Sequence, residues 1–264
     1  KKKKKLNKHI CVHMYKKKKR TVVGIRCSDG VVLGVEKLIH SKMLVRDTYH
    51  RIFTVSKNAG IAIAGVLPDG RQLVNRAREE ASSYKRNFGV EIPGKILAQR
   101  VALFVHAYTE YWHLRPFGVS CLVATCDEND GPQLYLIDPS GDCRKFQAIA
   151  VGKGQQPSRV QLEKIDFQKI TCKEAVNKVA QIIYSIHDDV KDKPFDLELS
   201  WVLNDSKKLI LLCSFVYLVG ALKTKKIHVW TNDRHVFVPQ DVLSQAKDAG
   251  VKATQDEESD DEDA

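Results

Sequence analysis

The chain moves between two hydrophobic periods. From Thr21 to Cys27 β-branched and apolar residues dominate, Ser28-Asp29-Gly30 follows as a turn signal, and Val31 to Val35 resumes the apolar run. That pattern predicts two antiparallel strands joined by a tight turn. Ile52 to Val55 and Gly60 to Ala64 repeat it around Lys57-Asn58-Ala59. The period then lengthens. After Pro68-Asp69-Gly70, the residues Leu73, Ala77, Ala81 and Tyr84 recur at spacings of four, four and three, with Arg76, Arg78, Glu79 and Glu80 between them. This predicts an amphipathic helix. A second helix opens at Pro93, carries Leu97, Val101, Phe104 and Tyr108 at helical spacing, and stops before Pro116.

Strands return at Val119 to Thr125 and Gln133 to Ile137, with a short one at Ile149 to Val151. A third helix is predicted over Gln156–Lys164. A fourth starts near Thr171, where Thr171-Cys172-Lys173-Glu174 has the form of a capping box. Phe195, Leu197, Leu199 and Trp201 alternate with Asp196, Glu198 and Ser200, which predicts a half-buried strand. His235 to Val238 reads as a last strand and Pro239 to Lys247 as a short helix. Strands and helices therefore come in blocks, not in βαβ alternation. We expect an α+β fold in which two sheets pack face to face, each covered by a helix pair: a four-layer α-β-β-α sandwich.

Composition changes the picture mainly at the ends. The 264 residues are 43% apolar, enough for a sizeable core. The net charge of +11 suggests a nucleic-acid binder, but its distribution argues otherwise. Residues 1–20 hold eleven basic side chains and no acidic one, while Asp256 to Asp263 hold seven acidic ones and no basic one. Such runs are solvated ends more often than docking faces. The lysine blocks lack interleaved aromatics apart from Tyr15, so we expect no nucleic-acid partner, a basic nucleic-acid-binding protein being the weakest alternative. Seven cysteines occur, an odd number without a CxxC pair, which speaks for a reducing compartment. The apolar run Leu209 to Leu222 has 14 residues, short of the ~20 that span a bilayer. We expect no membrane partner. His9, Cys11 and His13 have a ligand-like spacing but lie in the leader without a fourth ligand, so no metal or cofactor is expected.

Six motifs in order carry a family resemblance: Gly30-Val31-Val32-Leu33-Gly34-Val35-Glu36-Lys37, Ala64-Gly65-Val66-Leu67-Pro68-Asp69-Gly70-Arg71, Ala77-Arg78-Glu79-Glu80-Ala81, Arg115-Pro116-Phe117-Gly118-Val119-Ser120, Leu136-Ile137-Asp138-Pro139-Ser140-Gly141 and Ala150-Val151-Gly152-Lys153-Gly154. Together they resemble the α-type subunits of the proteasome core particle, over about Thr21 to Val202. Val105 to Thr109, Asp189 to Phe195 and the acidic end are most similar to the α type-3 branch. The resemblance implies the N-terminal nucleophile hydrolase fold and a structural, non-catalytic place in the α ring. It also implies other proteasome α and β subunits as partners, in a hetero-oligomeric seven-membered ring stacked in a barrel. Further implications are a regulatory particle or activators docking on that barrel, ubiquitin-dependent protein degradation, and residence in cytoplasm and nucleus.

The alternative is an active threonine peptidase of the same particle. In active members an N-terminal threonine is the nucleophile and its own amine the base, helped by a lysine and a carboxylate. Here the nucleophile position falls at Arg20, with Thr21 one residue late. The carboxylate position holds Glu36 and the lysine position lies near Arg51, whose guanidinium does not give up its proton. We therefore expect no catalytic residue. Arg51 is instead a candidate for the pocket that receives the C-terminal carboxylates of activators. Arg115, after the helix that Pro116 stops, is expected to bridge to a carboxylate. Ser259, before Asp260-Asp261-Glu262, is a candidate phosphorylation site that would add about −1.5 to −2 charges.

The expected organisation is a lysine-rich leader over 1–20, a sandwich domain over 21–202, an apolar insertion over 203–226, the last strand and helix over 227–250, and an acidic disordered tail over 251–264. The leader replaces the tyrosine-bearing tail and ring-face helix of the family, and 203–226 interrupts the turn into the last strand. We expect both segments to be misread non-coding sequence.

Overall fold

The computed structural model describes residues 20–39, 41–45, 48–187, 194–204 and 235–262, with side chains up to Ala253. Four strands open it: β1 (Val22–Arg26), β2 (Gly30–Leu38), β3 (Ile52–Ser56) and β4 (Ala59–Gly65). Helices α1 (Leu67–Phe88) and α2 (Gly94–Glu110) follow. Then come β5 (Val119–Asp127), β6 (Gly131–Ile137), β7 (Cys143–Phe146) and β8 (Ala148–Val151). Helices α3 (Gln155–Leu162) and α4 (Cys172–Ile186), strands β9 (Phe195–Leu203) and β10 (His235–Phe237), and helix α5 (Gln240–Glu262) complete the described elements. The block order predicted from periodicity is present.

The strands form two five-stranded sheets, ordered β10-β9-β2-β1-β8 and β3-β4-β5-β6-β7, with every pairing antiparallel. Three apolar clusters hold them. One joins the first sheet to α3, α4 and α5 through residues such as Ile25, Leu199 and Ile183. A second joins the second sheet to α1 and α2 through Ile61, Leu73 and Leu97. A third unites the two sheets through Leu33, Val35, Leu122 and Leu134. Fully burying one such Leu or Ile side chain contributes about 1.5–3 kcal/mol.

Local chemistry sets the element ends. Pro68 sits in the first turn of α1, and Gly89 closes it with φ +73°, its N–H donating to the Lys85 carbonyl at 2.8 Å. A left-handed residue there is inexpensive only for glycine. The capping box of α4 forms as the sequence predicts: Glu174 N–H donates to Thr171 Oγ1 at 3.4 Å and Thr171 N–H to Glu174 Oε2 at 3.2 Å.

Two expectations change, and one strand, β7, is additional to those predicted. Strand β9 is buried on both faces, not half-buried. Leu197, Leu199 and Trp201 pack on the helices, while Glu198 and Ser200 are buried on the other face, satisfied by Arg51, His50 and His235. Strand β7 has no apolar signal, because it is an edge strand with Arg144 and Lys145 exposed. Helix α5 continues through Glu262 instead of stopping before the acidic residues. The leader 1–19, the run 209–222 and His9, Cys11 and His13 lie outside the described residues. Among the described residues no helix is long and apolar enough to cross a membrane.

Candidate functional site

The residues with the chemistry of a threonine nucleophile site lie where β1 begins. Thr21 is buried, and its backbone pairs with Glu36: Glu36 N–H donates to the Thr21 carbonyl at 3.0 Å. Thr21 N–H in turn donates to Glu36 Oε2 at 3.2 Å. That nitrogen belongs to the Arg20-Thr21 peptide. Its lone pair is delocalised into the amide, so it is a donor and cannot act as a base. Thr21 Oγ1 accepts from Gly154 N–H at 3.3 Å, which ties the hydroxyl to the start of α3.

The chain upstream of Thr21 is clamped as well. Gly152 has φ +122°, and a Cβ there would lie 2.0 Å from the Arg20 carbonyl oxygen. Only glycine allows this close crossing. The other Glu36 oxygen, Oε1, lies 2.9 Å from His187 Nδ1, just past the end of α4. His187 is itself buried against the Phe195 ring, 4.3 Å away centre to centre. The sequence pattern did not flag His187. It is a lone histidine behind an amphipathic helix, and the packing of α4 on β2, with Val179 and Ile183 against Gly34, brings it to Glu36.

Arg51 is elsewhere. Its backbone N–H donates to Glu198 Oε2 at 2.9 Å, and His50 Nδ1 lies 2.7 Å from Glu198 Oε1. Its guanidinium donates to the carbonyls of Gly65 at 3.2 Å and Ile63 at 3.4 Å and to the Tyr49 hydroxyl at 2.8 Å. Val35, not Glu36, is the register partner of Glu198. Successive side chains leave a strand on opposite faces. Glu36 and Glu198 therefore leave the first sheet on opposite sides. Thr21 and Glu36 thus share one side of the first sheet, while the Arg51 guanidinium is held by carbonyls of β4 in the second sheet.

The comparisons with known proteins agree with this geometry. A family model described as "Proteasome subunit" matches residues 17–202. The chain belongs to the proteasome subunit family. Proteasome subunit alpha type-3 of Arabidopsis thaliana is 43% identical over 240 residues, covering 91% of this chain and 86% of the relative. Proteasome subunit alpha type-3 of Dictyostelium discoideum is 48% identical over 189 residues, 72% of this chain and 76% of the relative. The Saccharomyces cerevisiae protein named probable proteasome subunit alpha type-7 is 40% identical over 235 residues, 88% of this chain and 73% of the relative.

As a family member the chain keeps its most specific motifs for structure. Arg115 Nη1 and Nη2 donate to Asp69 Oδ2 and Oδ1 at 2.8 and 2.7 Å, the bridge to a carboxylate expected from sequence. Asp138, Ser140 and Gly141 form a turn in which Gly141 N–H donates to the Asp138 carbonyl at 2.9 Å. Arg51, the candidate for a partner's carboxylate, is 3% exposed with its guanidinium on the chain's own carbonyls. Ser259 falls within the span of α5, and its side chain lies outside the described residues.

Proposed function

We propose that this chain is a non-catalytic wall subunit in the α ring of the proteasome core particle, supporting ubiquitin-dependent protein degradation. One observation carries the proposal most: the Thr21 nitrogen is an internal amide donating to Glu36, while the Arg51 guanidinium is occupied by the Ile63 and Gly65 carbonyls. The reading includes the four-layer α-β-β-α arrangement, with the inter-sheet cluster in the middle and a helix cluster outside each sheet. It also includes neighbours in a seven-membered hetero-oligomeric ring, activators docking on that ring, and residence in cytoplasm and nucleus. Carboxylate capture by Arg51 would require its guanidinium to leave the Ile63 and Gly65 carbonyls. Activator docking is therefore the part of the proposal that depends on rearrangement at the ring interface.

The rival is a threonine peptidase. Thr21→Ala in the assembled particle separates the two. Unchanged peptide hydrolysis, with an intact Arg20-Thr21 bond by N-terminal sequencing, fits a wall subunit. Loss of one hydrolytic specificity, with a chain beginning at Thr21, would establish the rival.

A further inference from the structure

Two cysteines 145 positions apart in sequence (172 − 27) meet at one end of the first sheet. Cys27 follows β1 directly, and Cys172 is the first residue of α4. Asp29, in the turn between β1 and β2, completes the group. The two Sγ atoms and a carboxylate oxygen of Asp29 all lie within 4.8 Å of one another. Both thiols are buried and Asp29 is exposed. We propose that Cys27, Asp29 and Cys172 form a binding site for a thiophilic divalent cation of the zinc class, entered from the Asp29 side.

The donor set suits such an ion. Zinc takes thiolate sulfur at about 2.3 Å and carboxylate oxygen at about 2.0–2.2 Å in tetrahedral sites. Tetrahedral ligands at those lengths stand roughly 3.5–3.8 Å apart, so closing from the 4.8 Å limit needs movements of about 1 Å at most. Solvent on the exposed side would supply the fourth ligand. Two soft sulfurs select against magnesium and calcium.

The scaffold around the three groups is fixed by backbone bonds. Asp29 Oδ1 accepts from Cys172 N–H at 2.8 Å, which orients the carboxylate beside the thiol. The Asp29 carbonyl accepts from Asn204 N–H at 2.9 Å, and Cys27 N–H donates to the Gly30 carbonyl at 2.7 Å. A Cβ at Gly30 would come within 2.9 Å of Cys172 Sγ, so the glycine keeps space open beside the sulfur. On binding, each thiol releases its proton to solvent and both sulfurs coordinate as thiolates.

The test is a Co²⁺ titration of the full purified chain under reducing conditions, read by absorbance. A thiolate-to-cobalt charge-transfer band with tetrahedral d–d absorption, displaced by Zn²⁺, is expected. Cys172→Ser should remove the charge-transfer intensity. Asp29→Asn, which keeps an acceptor for Cys172 N–H, should weaken binding by at least about tenfold. A variant-free arm measures alkylation: Zn²⁺ should protect Cys27 and Cys172 in the wild-type chain. No band in the wild type, a band unchanged in Cys172→Ser, or protection of other cysteines instead would each overturn the site.

Discussion

Asp69 and Arg115 lock the first turn of α1 to the loop that follows α2. The guanidinium grips both carboxylate oxygens at 2.7 and 2.8 Å, and Gly118 N–H adds a third bond to Asp69 Oδ2 at 2.9 Å. The most specific motif of the chain is thus a brace between two helix ends. Asp69→Ala leaves the Gly118 amide without its acceptor and takes the fork partner from Arg115, which keeps the Pro116 carbonyl and solvent. It should cost about 1–3 kcal/mol, allowing for the half-exposed arginine. Arg115→Lys keeps the charge but loses the fork, and should cost about 1 kcal/mol. Urea unfolding of the chain measures both; an Arg115→Lys variant as stable as the wild type would show that charge alone, not geometry, matters.

The same carboxyl makes stability fall in acid. Burial alone would raise the Asp69 carboxyl, but the Arg115 and Gly118 hydrogen bonds outweigh it and hold it below its ordinary value. Asp196 is lowered in the same way, burial being outweighed by Lys247 and Lys37. A depressed folded value means the contribution is present above the unfolded value of about 3.9 and is lost as pH falls through the folded value. Wild type should therefore lose stability more steeply than Asp69→Asn below about pH 4. Urea midpoints measured across that range should converge; parallel curves would exclude the brace as the cause.

His235 fastens β10 across to the second sheet. Its Nδ1 lies 2.9 Å from Thr54 Oγ1, its Nε2 3.2 Å from Ser200 Oγ, and a Cβ at Gly60 would fall 2.1 Å from its ring. Gly60→Ala must expel the imidazole and should cost about 1–3 kcal/mol. Hydrogen exchange at Val236 N–H should accelerate, since among the described residues β10 pairs only with β9. Unchanged protection would mean the strand is held without the histidine.

Helix α5 is anchored by Asp196, which receives Lys247 Nζ at 2.9 Å and Lys37 Nζ at 3.3 Å. Lys37 is buried, so Asp196→Ala takes a carboxylate at 3.3 Å away from a buried cation. Faster proteolysis within α5 is expected, with β2 protected. Uniform loss of protection across the chain would show that α5 is not a separate unit of stability.

Periodicity made most of the fold legible, because α1, α2 and α4 each bury one face and the paired strands are apolar runs set between turn signals. Strand β7 escaped because an edge carries its charges outward. The depth of Glu198 and Ser200 escaped because their alternation with Leu199 mimics a solvent face, while their partners Arg51 and His235 lie far off in sequence. Glu36 and Thr21 were legible from motif register, and Arg115 from the proline that ends its helix. His187 and the Cys27–Cys172 pair were not, since each contact spans about 150 residues and arises where the ends of α4 pack on the first sheet.

The central claim is a place in the proteasome wall, and co-assembly tests it most directly. The tagged full chain should co-migrate on a native gel with a barrel-sized particle containing the other α and β subunits, at one copy per α ring. A chain that remains a monomer beside fully formed barrels that exclude it would contradict the account.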